Sequence, residues 1–268
     1  MSLPEPRPGG AALITGASSG IGEAIARRLT ADGYDTILIA RDRERLDRVA
    51  AELTGSETKA TPVTCDLTDH LARAAMIDEI RESGIEVDLL VNCAGFATGG
   101  PFIEADPERE LDQVRLLVEA PVALTSAFLP GMVSRRSGAV LNVASSAGLE
   151  VVPYSAGYSG AKHHARAFSE AIHYEVKRHG VAVTALCPGP VETELWANAG
   201  DHPLEKAIPK PLWITADRCA EAGLSGLARN RAVVVPTAAL KVGYGSMKFM
   251  PDGLKATVNE RVLRPEGA

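Results

Sequence analysis

Cysteine is sparse: Cys65, Cys93, Cys187 and Cys219 are the only four in 268 residues, and they stand far apart with no C-x-x-C pair. That excludes a dense disulfide framework and reads as buried thiols in a reducing cytosol. Positive charge is also short. With 28 Lys and Arg against 34 Asp and Glu, the formal charge is -6, which argues against nucleic acid as a partner, since phosphate contacts want a basic surplus. The opening "MSLPEPRPGG" has no apolar core of signal-peptide length, and no later run approaches the roughly 20 apolar residues of a membrane span. A cytoplasmic protein with no integral membrane segment is therefore expected. His163, His164, His173 and His179 crowd one stretch, but no pair stands four apart beside an acidic ligand, so no metal site is expected.

What is present is a regular alternation. Apolar runs at "AALIT" (11–15), "YDTILIA" (34–40), "TKATPVTCDL" (58–67), "VDLLVNCAG" (87–95), "GAVLNVAS" (138–145) and "VAVTALCPG" (181–189) read as strands. Between them lie amphipathic helical stretches, including "DRERLDRVAAEL" (42–53), "DHLARAAMIDEIRESG" (69–84), a long one around 106–129 and another around 153–178. Near-continuous apolar strands joined by crossover helices predict a parallel sheet covered on both faces. No internal repeat, low-complexity tract or linker divides the chain. Ligands of such a sheet bind beyond the carboxyl ends of its strands. The first strand leads into "TGASSGIG" (15–22), with Gly16, Gly20 and Gly22 spaced G-x-x-x-G-x-G. Glycines there permit a tight turn and bring backbone N–H groups and a helix N-terminus up to a phosphate.

"TGASSGIG" at 15–22, "NCAG" at 92–95, Ser145, "YSGAK" at 158–162 and "CPGPVET" at 187–193 together resemble the classical short-chain dehydrogenase/reductase family in order and spacing. Ser145 precedes Tyr158 by 13 positions, and the likeness runs from about Ala11 to Thr193. The fold class expected is α/β, a single doubly wound Rossmann domain whose parallel seven-stranded sheet is flanked by helices on both faces. Residues 1–10 form an N-terminal tail and 11–268 the domain, with a substrate-loop region at about 190–230 and a C-terminal extension at 236–268. The resemblance implies hydride exchange between a nicotinamide cofactor and a carbonyl or alcohol. Tyr158 is then the general acid/base, Ser145 the donor that fixes the substrate oxygen, and Lys162 the partner of both Tyr158 and the nicotinamide ribose. Residues four apart share a helix face, so Lys162 is expected to lower the pKa of Tyr158. Cofactor contacts are expected from Gly16, Ser18, Ser19, Gly20, Ile21, Gly22, Arg41, Asp66, Leu67, Asn92, Ala94, Gly95, Tyr158, Lys162, Pro188, Gly189 and Thr193.

Ala40 followed by Arg41 at the end of the second strand favours NADP(H) over NAD(H), because an arginine there suits a 2'-phosphate and an acid suits a free ribose. Asp42 and Glu44 fit a helix start instead. Phe96, Leu149, Val151, Val152, Leu195 and Trp196 suggest an apolar or acyl-bearing carbonyl substrate. The C-terminal extension carries further apolar residues, among them Leu240, Val242, Tyr244, Met247, Phe249 and Met250. One departure from the family pattern stands out. Leu117 occupies the position where the family usually has an asparagine that holds a proton-relay water, although Pro121 nearby permits a local kink and a backbone carbonyl can still hold the water. That departure keeps open a catalytically weakened dinucleotide-binding protein, a redox sensor or scaffold. A nucleotide-sugar epimerase of the extended relatives fits the glycine spacing and the short region after Thr193 less well. The two long helices, apolar on more than one face, predict a homodimer or homotetramer.

Overall fold

The computed structural model describes residues 3–195, 213–247 and 250–264. Seven strands lie in one parallel sheet: β1 (Gly10–Thr15), β2 (Thr36–Ala40), β3 (Ala60–Thr64), β4 (Glu86–Asn92), β5 (Gly138–Val143), β6 (Val181–Leu186) and β7 (Val233–Val234). Their order is β3-β2-β1-β4-β5-β6-β7, with the reversal between β1 and β4 that opens a crevice at the carboxyl ends. Helices α1 (Gly20–Ala31), α2 (Arg43–Leu53), α3 (His70–Glu82), α4 (Pro107–Val114), α5 (Ala120–Arg135), α6 (Ala156–Val176), α7 (Ala216–Ala228), α8 (Ala238–Met247) and α9 (Asp252–Leu263) complete the described part.

Strand side chains alternate between two cores. Ala12 and Ile14 face a cluster with Ile25 and Leu29 of α1, Leu46 and Val49 of α2, and Leu224 and Leu227 of α7. Ala11 and Leu13 face the opposite cluster, with Met76 and Ile80 of α3, Leu124 and Phe128 of α5, and Ile172 and Val176 of α6. Each fully buried leucine or isoleucine contributes about 1.5–3 kcal/mol, which explains why the central strands are apolar on both faces. β3 is the edge, and it is where a proline is tolerated, at Pro62. Helix starts follow the sequence closely. Asp42, Asp69 and Asp106 cap α2, α3 and α4 by accepting backbone N–H groups.

The seven-stranded sheet is as expected, and three details were not read from the sequence. The seventh strand is only two residues long, too short to carry a pattern of its own. The N-terminal segment is docked: Arg7 donates to the buried Asp88 at 2.7 Å, and Arg135 reaches the same carboxylate at 3.2 Å. The third concerns the stretch 107–135, which by length and composition alone is apolar enough to cross a membrane, although no such run was expected. Here α5 packs on β4 and β5 with Ala120, Leu124, Phe128 and Met132 buried, as a core helix does. Within this stretch Arg115–Glu119 forms a π-helical turn, just before Pro121. Trp196 and Phe249 lie outside the described residues, as do the side chains of Tyr244 and Met247.

All four thiols are free. Burial pushes Cys65 from 9.0 up to about 11 and Cys93 and Cys187 up to about 12, with Cys219 raised in the same direction. An unfolded chain sheds thiol protons from about pH 9 while the folded chain keeps them, so this stability is complete below about pH 9 and is lost as pH rises. Buried Lys162, lowered from 10.5 to about 8, acts in the opposite sense but is one group against four. The unfolding free energy measured in urea is expected to fall between about pH 9 and 10.5, and Cys65→Ala to flatten that slope by up to ~1.4 kcal/mol per pH unit. A slope unaltered by the substitution would refute the assignment.

Candidate active site

The turn from β1 into α1 is shaped by what a side chain would strike. Gly16 has φ +67°, and a Cβ there would lie 2.8 Å from the Cα of Ala94, so the turns after β1 and β4 touch through their backbones. A Cβ on Gly22 would lie 2.2 Å from the carbonyl oxygen of Gly16. Thr15 fastens the same junction, its Oγ1 accepting the N–H groups of Cys93 at 2.9 Å and Ala94 at 3.0 Å. Ser19, the N-cap of α1, makes no side-chain bond to the first turn. The N–H groups at that positive helix end therefore face the cleft without a side-chain cap, as a phosphate site requires.

From this turn a cleft of about 380 Å³ runs across the strand ends. Gly16, Ser18, Ser19, Gly20, Ile21, Gly22, Arg41, Leu67, Ala94, Gly95, Ser145, Tyr158, Lys162, Pro188, Gly189 and Thr193 all line it. Two residues expected here do not. Asp66 is exposed and turns back on its own loop, accepting from Thr68 N at 2.9 Å and Thr68 Oγ1 at 2.8 Å. Asn92 is buried beneath the cleft, where its Nδ2 donates to Asn142 Oδ1 at 2.7 Å and Asn142 Nδ2 donates to Ser169 Oγ at 2.8 Å. It joins β4, β5 and α6 rather than facing a ligand.

The catalytic candidates meet because the turn after β5 rests directly on α6. A Cβ at Gly148 would lie 2.4 Å from the carbonyl oxygen of Lys162, and Ser159 Oγ donates to Ala147 O at 2.9 Å. Ser145 caps the short turn Ser146–Gly148, its oxygen accepting the N–H of Ala147 at 3.1 Å. With that acceptor position used, its hydroxyl proton turns to the cleft side, toward the Tyr158 phenol. Ser146 lies outside the lining and donates its backbone N–H to Pro188 O at 2.7 Å. Tyr158 and Lys162 are 4% and 7% exposed. The Lys162 ammonium donates to Val143 O at 2.7 Å and lies 5.6 Å from the centre of the Tyr158 ring.

Electrostatics here differ from the sequence expectation. Burial pushes the Tyr158 phenol up to about 12, with a hydrogen bond from Ser145 working against it, and lowers the Lys162 ammonium to about 8. Desolvation is the largest influence on both groups. The phenol is thus protonated at neutral pH.

Sequence reasoning missed several neighbours. Arg45 and Glu194 both line the cleft and pair across it at 2.5 Å, although 149 positions separate them. Arg73, 4% exposed, donates to Leu67 O at 2.7 Å and pairs with Glu119, tying the cleft wall after β3 to the π turn. Neither pairing has a local signal, because each depends on strand order.

A doubly wound sheet with its cleft at the topological switch point defines a Rossmann-type fold, and the residues gathered in that cleft are those of an oxidoreductase family. The chain belongs to the short-chain dehydrogenase family, whose family model matches residues 10–203. It is 37% identical over 193 residues to a Streptomyces violaceoruber protein named as ketoacyl reductase 1 of the granaticin polyketide synthase, covering 71% of each chain. It is 35% identical over 193 residues to dehydrogenase/reductase SDR family member 7B of Bos taurus, covering 70% of this chain but 59% of that one. A short-chain dehydrogenase from Sphingobium yanoikuyae, solved in complex with NADPH, superposes with a TM-score of 0.80 at 30% identity, over 91% of this chain and 94% of the other.

Leu117 is 3% exposed, and a Cβ on Gly95 would lie 2.9 Å from its Cδ2. The expected relay position is therefore filled with hydrocarbon that packs in the same cluster as Tyr158. Leu117→Asn removes that packing and buries an amide, so it is expected to destabilise the protein by about 2–4 kcal/mol in urea unfolding. A loss below about 1 kcal/mol would show that the pocket already accommodates a polar group there.

Proposed function

We propose that the protein is an NADP(H)-dependent oxidoreductase that exchanges hydride between the nicotinamide and the carbonyl or secondary alcohol of an apolar or acyl-bearing substrate. The observation that carries this is one cleft lined by Ser145, Tyr158 and Lys162 as well as by the glycine turn and Arg41. When bound, the nicotinamide supplies the hydride for the carbonyl carbon or accepts one from the alcohol. Tyr158 gives its phenolic proton to the carbonyl oxygen as charge develops there, and takes it back in the reverse direction. Its raised pKa keeps it in the protonated form that reduction consumes. The Ser145 hydroxyl donates to the same oxygen and holds it in place. Lys162, fixed through Val143 O, retains further N–H donors for a ribose.

Arg41 supports the 2'-phosphate form of the cofactor. Asp42, the rival acid, accepts the N–H of Arg45 at 3.0 Å as the cap of α2, so its carboxylate has a structural task. The Sphingobium yanoikuyae relative was solved with NADPH, which points the same way. For the substrate, Phe96, Val191 and Leu195 line the cleft, and the relative named for ketoacyl reduction favours an acyl-bearing carbonyl. The serine, tyrosine and lysine together weigh against a binding-only protein, which needs neither of the first two. A homodimer or homotetramer is part of the same proposal: Leu111 and Val114 of α4 and Tyr174 of α6 are exposed apolar residues on the long helices. Light scattering that returns a monomer mass would exclude it.

Two measurements test the chemistry. Tyr158→Phe is expected to lower NADPH-dependent ketone reduction on the order of a hundredfold or more with cofactor affinity within twofold of wild type; retained turnover would remove the phenol from the mechanism. Arg41→Ala is expected to weaken NADPH about tenfold or more, the loss of one charged contact to a phosphate, while NADH binding hardly changes. Equal losses for both cofactors in a fluorescence titration would mean that Arg41 does not read the 2'-phosphate.

A further inference from the structure

The last helix, α9, lies beyond the residues that the family model matches, yet it is fastened to the segment that leads into the catalytic helix. Tyr154 in that segment has φ +62°, a left-handed conformation in a residue with a bulky side chain. Three attachments hold it there. Its carbonyl accepts the N–H of Gly100 at 2.8 Å, the next residue Ser155 donates to Thr98 O at 3.1 Å, and its phenol donates to Glu260 Oε1 of α9 at 2.8 Å. Glu260 is itself gripped by both arms of Arg264, at 2.9 and 3.0 Å. Two more contacts run from α9 to the same segment: Asn259 Nδ2 donates to Val151 O at 2.9 Å, and Lys255 lies 3.8 Å from Glu150, with both of these side chains largely shielded. At its end, Leu263 is 5% exposed and joins the apolar cluster of Tyr158, Leu117, Val152 and Ala161.

We propose that α9 steadies the catalytic helix: the Tyr154–Glu260 bond makes Tyr154 a positioning residue that sets the first turn of α6, and Leu263 braces the packed cluster that holds Tyr158. The proposal rests on the cleft being a hydride-transfer site. Polar contacts grip the segment from Glu150 to Tyr154, and the proton donor follows four residues later. A strained residue persists only where its surroundings over-determine it, and here the surroundings are the two loops after β4 and β5 together with α9. Moving α9 therefore moves the start of α6.

The test uses the full-length protein with NADPH and two ketones, one small and one with bulky apolar groups. Tyr154→Phe deletes only the hydroxyl that reaches Glu260, and Glu260→Ala deletes its acceptor. Each is expected to lower kcat about tenfold on both ketones, the scale of a slight misplacement of reacting groups, with NADPH affinity within twofold of wild type. The double variant is expected to be no worse than either single one, since both break the same bond. Glu260→Gln, which keeps an acceptor oxygen, is expected to recover kcat to within about twofold. Unchanged kcat in Tyr154→Phe, additive losses in the double variant, or a lower melting temperature with no kinetic change would overturn the positioning role. A wild type that binds NADPH and reduces neither ketone would refute the hydride-transfer reading, and this inference with it.

Discussion

The site depends on one close approach, that of Gly148 to the backbone of Lys162. Because residue 148 has no side chain, the turn after β5 can sit on the second turn of α6, and a Cβ would be driven to 2.4 Å from a carbonyl oxygen. Everything that follows along the helix is placed by that contact. Ser145 reaches the cleft from one side of the turn, and Tyr158 and Lys162 reach it from the helix face that the turn supports. The approach of Gly16 to Ala94 does the same work at the other end, where two loops must share the room a dinucleotide needs.

Burial then sets the chemistry of the groups so placed. Tyr158, Lys162, Cys93 and Cys187 are all shielded, and in each of them desolvation is the largest influence on the proton. An ammonium beside a phenol would draw the phenol down in water. In this cleft the loss of water is the largest influence on both, pushing the phenol up and the ammonium down. The same dryness that holds the proton on Tyr158 also strengthens any hydrogen bond given to a developing oxyanion.

The substrate end is built differently from the cofactor end. Around the glycine turn the contacts are backbone to backbone and belong to segments that stand close to the strands. Around Leu117 the packing is of side chains drawn from distant parts of the chain: Val152, Tyr158, Leu195, Trp213 and Leu263. A cofactor site of the first kind tolerates little change, since it is shaped by the main chain. A cluster of the second kind can be repacked by single substitutions, which is one way a fold comes to serve many substrates.

The sequence by itself determined whatever depends on neighbours within a few residues. Alternating apolar runs announced six strands, the aspartates marked helix starts, the glycine spacing marked the phosphate turn, and a separation of four put Lys162 and Tyr158 on one helix face. Asp66 and Asn92 sat in recognisable motifs and were assigned to the cofactor, but one side chain closes its own turn and the other joins a buried amide network. The direction a side chain takes from a strand end is settled by the loops packed around it, and no local pattern records that. Only the tertiary structure decided the pairing of Arg45 with Glu194, the reach of Arg73 to Glu119, the two-residue seventh strand and the seating of Leu263 beside the catalytic cluster. Each of these joins segments that the strand order brings together after long excursions of chain, so the energy that selects them exists only once the sheet has closed around its two cores.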